Sequence, residues 1–190
     1  MRSVAWVVAT TLGFALGGAA LHSPGASAVG AEYLSWDVSA AVFGAVLGAV
    51  VGAITGALQN IALGARNVRV IVAMVVTVAA AHALADGAPN AWGVPAVAAL
   101  SAIVAALAMT WASGTRTPRA IVAWTLAWWL GWEIGVALAG ALGLSFGSTP
   151  DVWAQEHIVI AGMLGIVFGA ATSPAMRRIL KIERALSSVG

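Results

Sequence analysis

Cysteine is absent from the chain. That excludes a disulfide framework, a thiol nucleophile and a thiolate metal site. Charge is nearly as scarce, at 8% of the 190 residues, while 61% are hydrophobic. A soluble domain carries roughly 25% charged residues, so this chain lacks the polar groups to coat a globular surface. Long polar stretches are missing too, which leaves no segment for a separate soluble domain. There is no Gly-rich phosphate loop after a strand, no Ser-His-Asp order and no basic stripe interleaved with aromatics. An enzyme and a nucleic-acid binder are therefore not expected. Lipid is the solvent that suits what remains.

A spanning helix needs about 20 mostly apolar residues. Six runs meet or approach that: Val4 to Leu21, Val38 to Leu58, Val70 to Ala85, Val94 to Trp111, Ala120 to Leu144, and Val152 to Ser173. Turn signals separate them, including His22-Ser23-Pro24-Gly25, Asp86-Gly87-Ala88-Pro89-Asn90, Ser113-Gly114-Thr115 and Ser148-Thr149-Pro150. The alternating pattern of a β-barrel is missing. The expected fold is all-α: an integral membrane bundle of six transmembrane helices forming one domain over residues 1–190. Arg2, Arg66, Arg69, Arg116, Arg119, Arg177, Arg178, Lys181 and Arg184 then all fall on one side, and Glu32, Asp37, Asp86 and Asp151 on the other. Basic loops face the cytoplasm, so both termini are expected inside. Arg2, the apolar run and Ala26-Ser27-Ala28 also resemble a cleavable secretory signal. The part this run plays in an internal repeat assigns it to the bundle instead.

That repeat has three tandem helical hairpins, over 1–60, 66–112 and 117–175, followed by a basic tail over 176–190. Val4-Ala5-Trp6-Val7-Val8 matches Val72-Ala73-Met74-Val75-Val76. Val4-Ala5-Trp6, Ala9, Leu12-Gly13 and Gly17 match Val122-Ala123-Trp124, Ala127, Leu130-Gly131 and Gly135. In the second helices, Leu47-Gly48, Val50, Gly52-Ala53 and Thr55 match Leu164-Gly165, Val167, Gly169-Ala170 and Thr172. Gly44, Gly48, Gly52 and Gly56 recur every fourth residue. In lipid, such small residues let helix backbones approach closely. The same stripe would also serve as a sliding surface or as a seam between protomers of a homo-oligomeric channel. The tail from Met176 to Arg184 is a short basic amphipathic stretch that suits anionic lipid or a cytoplasmic partner.

Nine tryptophans stand out. Trp6, Trp111 and Trp124 near one set of helix ends, and Trp36, Trp92 and Trp153 near the other, suit an interfacial aromatic belt. Trp128, Trp129 and Trp132 fall mid-helix, and Trp124, Trp128 and Trp132 share one stripe at a spacing of four. Glu133 sits roughly 20 Å along the fifth helix, near the bilayer midplane, where an acid is costly and turns inward. It reads either as a ligand, cation or proton site or as a protonated acid joining helices by a hydrogen bond. His82, and His157 beside Gln155 and Glu156, belong to the outer half of the membrane. With Glu133, Asp86 and Asp37 they outline a polar pocket reached from outside; Glu156 and His157 also fit a plain interfacial role. Two His on different helices are the minimum for haem or chlorophyll ligation through His82 or His157. A metal site of two His and one Glu lacks the i, i+3 or i+4 pairing that would mark it.

The run from Gly44 to Leu63 with Gln59 and Arg66, and Leu130-Gly131-Trp132-Glu133-Ile134-Gly135, resemble small Gly- and Trp-rich hairpin-repeat membrane proteins of bacteria. That resemblance implies a bacterial plasma membrane and assigns no activity. The length, the six helices and the basic segment Pro174 to Arg184 are also similar to the substrate-binding components of energy-coupling-factor vitamin transporters. That resemblance implies a vitamin-like solute bound from outside by Trp129, Trp132, Glu133, His82, His157 and Glu156. The expected function is therefore binding or translocation of a small solute. The alternatives are a structural or pigment-binding subunit of a larger membrane complex, and an oligomeric channel.

Overall fold

The computed structural model describes residues 2–21, 38–64, 67–88, 93–114, 117–142, 159 and 161–174. These form helices α1 (Arg2–Leu21), α2 (Val38–Leu63), α3 (Val68–Gly87), α4 (Gly93–Ala112) and α5 (Pro118–Ala141). A shorter apolar helix, α6, covers Ala161–Pro174. No strand occurs among the described residues. Three stretches are long and apolar enough to cross a membrane by length and composition: Ala41–Ala62, Val68–Ala85 and Pro95–Ala112. Ser3–Leu16 and Ala161–Pro174 are apolar but shorter, and α5 carries Glu133 and four indoles within its apolar run.

Two short turns share one design. Gly64 follows α2 with φ +63°, and Gly114 follows α4 with φ +67°; this left-handed backbone ends a helix and suits glycine. The next helix then starts from a side-chain cap. Asn67 accepts from the Arg69 N–H at 3.0 Å, and Thr117 Oγ1 accepts from the Ala120 N–H at 3.2 Å. Asn60 reaches from α2 to donate to the Asn67 carbonyl at 3.0 Å, which braces the first turn from inside.

Glycine sets the helix spacing. A Cβ on Gly48 would lie 2.8 Å from Ala79 Cα, and one on Gly52 2.7 Å from Val75 Cα, so α2 and α3 touch backbone to backbone. The seam between α6 and α1 is built alike: a Cβ on Gly165 would meet Thr11 Cα at 2.6 Å, and one on Gly169 would meet Val7 Cα at 2.8 Å. Counted from the Val4/Val72 match, Thr11 and Val7 hold the places of Ala79 and Val75. Each helix from α1 to α5 also contacts the next, and α5 meets α6 where Trp128 packs on Phe168 with ring centroids 4.4 Å apart. The helices therefore close into a ring.

The ring is apolar outside, and its mainly apolar interior also holds polar side chains. Val4, Val8, Leu12 and Leu16 of α1 are exposed, as are Val38, Val42, Val46 and Val50 of α2, and Val122, Leu126, Ile134 and Leu138 of α5. Thr10, Thr55, Gln59, Thr77, Ser101, Thr110 and Thr172 are buried. The contiguous apolar stripes on the outside are what departs from a soluble domain. Gly52→Val is expected to cost about 1–3 kcal/mol through overpacking, read as an earlier midpoint in denaturant unfolding from detergent. Val46→Ala, on the exposed stripe, is expected to leave that midpoint close to wild type.

Candidate functional site

Inside the ring, two faces built on the same spacing of four meet. Trp6, Thr10 and Phe14 line one face of α1, and Trp124, Trp128 and Trp132 one face of α5. Gln59 lies one turn beyond Thr55 on α2. These faces converge on a chamber lined by Trp6, Thr10, Phe14, Gln59, Met74, Met109, Trp124, Trp128, Phe168 and Thr172. Its free centre measures about 10 Å³, roughly the space of a single water. The chamber lies towards the end of the ring where α1, α3 and α5 begin, the end that carries Arg69 and Arg119.

The polar groups of this chamber form a directed chain. The Trp6 Nε1–H donates to Thr172 Oγ1 at 2.9 Å, across the α6–α1 seam. The Thr172 hydroxyl donates to the Phe168 carbonyl at 2.6 Å. The Thr10 hydroxyl donates to the Trp6 carbonyl at 2.8 Å, and Gln59 Nε2–H donates to Thr10 Oγ1 at 3.0 Å. A hydroxyl has one proton. Thr10 has spent its own on Trp6, so towards Gln59 it can only accept. That orients the amide: Nε2 faces Thr10, and Oε1 is left with no hydrogen-bond partner although Gln59 is 1% exposed. Thr55 Oγ1 and Thr77 Oγ1 are likewise buried without a partner.

A second unsatisfied group lies further along α5. Trp132 Nε1 and Glu133 Oε1 are both buried without a hydrogen-bond partner. Successive residues of a helix point about 100° apart, so the two do not serve each other. Trp132 packs against the aromatic core, and Glu133 is half-buried. His82, half-buried on α3, sits about 20 Å from its helix start, the same height as Glu133 in α5. Among the described residues no three His, Cys, Asp or Glu side chains gather into a metal site. His157, Glu156 and Asp37 lie outside the described residues.

One expectation is corrected. Trp6 and Trp124 do not belong to an interfacial belt, being 2% and 3% exposed within the core. Only the burial of their helix face against α2, α4 and α6 distinguishes them from Trp111, which is 39% exposed beneath the Arg69 guanidinium. Trp129 is 37% exposed on the outer surface, and its neighbour Trp128 is the one that lines the chamber. Gln59, Thr10 and Thr172 were not among the candidate residues. The available signal was positional: Thr10 lies one turn from Trp6 on the repeat face, and Gln59 one turn from Thr55.

Thr172→Val leaves the Trp6 N–H buried without an acceptor. A loss of about 1–2 kcal/mol is expected, the range for interhelical hydrogen bonds in membranes, measured by denaturant unfolding in detergent. In a double-mutant cycle with Trp6→Phe the two losses should be less than additive. Comparison with family models, with curated proteins and with solved structures finds no match for this chain.

Proposed function

We propose that the chain is a membrane-embedded protein that binds or translocates a small solute through a pocket near the bilayer midplane. All six helices cross the bilayer in this reading, with both termini cytoplasmic, in a bacterial plasma membrane. The apolar stripes facing outward on α1, α2 and α5 support it, as does the placement of every Lys and Arg at one end. The pocket opens at the other end. Glu133 is its acid, Trp132 its aromatic wall and Trp129 its lipid-side edge, and His82 approaches from α3; His157 and Glu156 join them as candidates on the sequence alone.

One observation carries this reading. A donor, Trp132 Nε1, and an acceptor, Glu133 Oε1, are each buried on α5 without a hydrogen-bond partner. Unmade hydrogen bonds in a low-dielectric interior are expensive, and a ligand that gives a proton to Glu133 would relieve one of them. Intramembrane acids of this kind mark solute and ion pathways.

Native mass spectrometry from mild detergent, with a visible spectrum of the same sample, tests the proposal. A colourless protein carrying a small added mass is expected, with the mass lost in Glu133→Gln. A visible band lost in His82→Ala would overturn it in favour of a haem- or pigment-binding subunit. An unliganded wild type indistinguishable from Glu133→Gln in mass and stability would assign Glu133 to helix pairing.

A further inference from the structure

The three hairpins meet at three seams, and one is unlike the other two. Gly64 and Gly114 follow α2 and α4 with the same left-handed backbone, and Val72 and Val122 stand at the same distance beyond them. Counting back from these turns puts Ala98, Ala102 and Ala106 of α4 at the places of Gly48, Gly52 and Gly56 of α2. All three alanines are buried. On the facing helix, Trp129 and Thr125 of α5 take the places of Ala79 and Val75 of α3. A Cβ on Gly48 would lie 2.8 Å from Ala79 Cα, so an alanine at that place forces the helices apart. Accordingly α4 and α5 approach each other much less closely along their length than α2 and α3 do. Glycine seals the α2–α3 and α6–α1 boundaries, and the α4–α5 boundary is the loose one.

Glu133 lies at this loose boundary. It follows Trp129 by one turn on the same face of α5. Trp129 is exposed, as are Leu126, Leu130 and Ile134 around the acid, while Trp132 on the adjoining face packs against the core. The acid therefore stands at the edge between the ring and its apolar exterior, half-buried, with Oε1 inside and unbonded. At the matching places α3 has Ala83 and α1 has Ala15, the latter beside Gly162 of α6; only the loose seam carries an acid. No Lys or Arg occurs from 70 to 115 or from 120 to 176, so α4, α5 and α6 hold no basic residue beyond Arg119 to pair with it. A side opening admits what dissolves in lipid, and a lone acid favours a charged proton donor, whose hydrogen bonds are the strong ones. An indole beside it suits the same cation. Resting on the solute pocket proposed above, we infer that this pocket also opens sideways through the α4–α5 seam and takes a lipophilic amine from the bilayer, its ammonium N–H donated to Glu133 and its apolar body lying along Trp129.

The experiment is photolabelling of the purified protein in lipid nanodiscs. The probe is decylamine with a diazirine in its chain, compared with a decanol of the same design, and circular dichroism checks the fold of each variant. The amine should label α4 and α5 around Trp129 and Glu133, and plain decylamine should compete where decanol does not. The alcohol should label the exposed stripes of α1, α2 and α5 alike. Glu133→Gln should cut the amine's labelling at the seam by about tenfold, since a hydrogen bond to a charged group is removed, and leave the alcohol's pattern unchanged. Ala98→Gly with Ala102→Gly, which lets α4 close on α5, should also lower the amine's labelling while the acid stays in place; an unchanged signal there would overturn entry through this seam. The same pattern for amine and alcohol would overturn the inference, as would an unchanged amine signal in a folded Glu133→Gln. Where Glu133→Gln does not fold, the competition in wild type decides. A second copy or another chain retained in the native mass spectrum, and lost in Glu133→Gln, would overturn it in favour of a partner helix. If the amine fails while a small added mass is still lost in Glu133→Gln, the solute pocket stands and the side entrance falls.

Discussion

Backbone contact between α2 and α3 governs the geometry of this molecule. Gly48 and Gly52 leave no room for a Cβ against Ala79 and Val75, so the helix axes lie as near as two helices can. Gly165 and Gly169 impose the same approach of α6 on α1. With both seams drawn tight, the larger side chains have one place to go, which is the centre of the ring. Trp6, Trp124, Trp128, Phe168, Met74 and Met109 collect there. The central chamber is thus a by-product of small residues elsewhere. In lipid, dispersion contact along these seams would substitute for the hydrophobic drive that is lost when the surroundings are as apolar as the interface.

An apolar exterior also changes what a buried polar group is worth. In a bilayer no water would wait outside to receive an amide or hydroxyl, so each would need a partner within the ring. Several find one locally. Thr10, Thr110 and Thr172 give their protons to carbonyls one turn back in their own helices. Having done so, they are pure acceptors towards neighbouring helices, and the Trp6 indole and the Gln59 amide use them in that role. Beside these satisfied groups, buried atoms of Thr55, Gln59, Asn60, Thr77, Trp132 and Glu133 are left unbonded, and each such atom asks for a structural or binding explanation.

The helical class could be read from the apolar runs, because hydropathy over twenty residues is a sum that tolerates local error. The close seams could be read from glycine at a spacing of four, since only the absence of a side chain matters there. Glu133 could be singled out because a lone acid in an apolar helix is conspicuous at any orientation. The position of the tryptophans was harder. Trp6 and Trp124 stand close to helix ends, as belt residues do, and only the direction of their helix face, set by packing between helices distant in sequence, turns them inward. Gln59 was hidden for a related reason: a single amide near a helix end looks interfacial until Thr10, across the α1–α2 contact, is seen to hold it.

Closure of the ring has a consequence for how the protein is made. Trp6 and Thr172 are 166 residues apart in the chain, yet they share a buried hydrogen bond. A chain synthesised from its N-terminus delivers α1 first and α6 last. Throughout that interval the indole N–H of Trp6 has no Thr172 to accept it, and the face of α1 that carries Val7 and Thr11 has no glycine helix laid against it. α2 can cover the part of the first helix that carries Thr10 and Gly13 early in synthesis, but the part that α6 covers stays open until the end. The assembly step that completes the fold is thus the slowest contact to become available, and the aromatic chamber exists only after it.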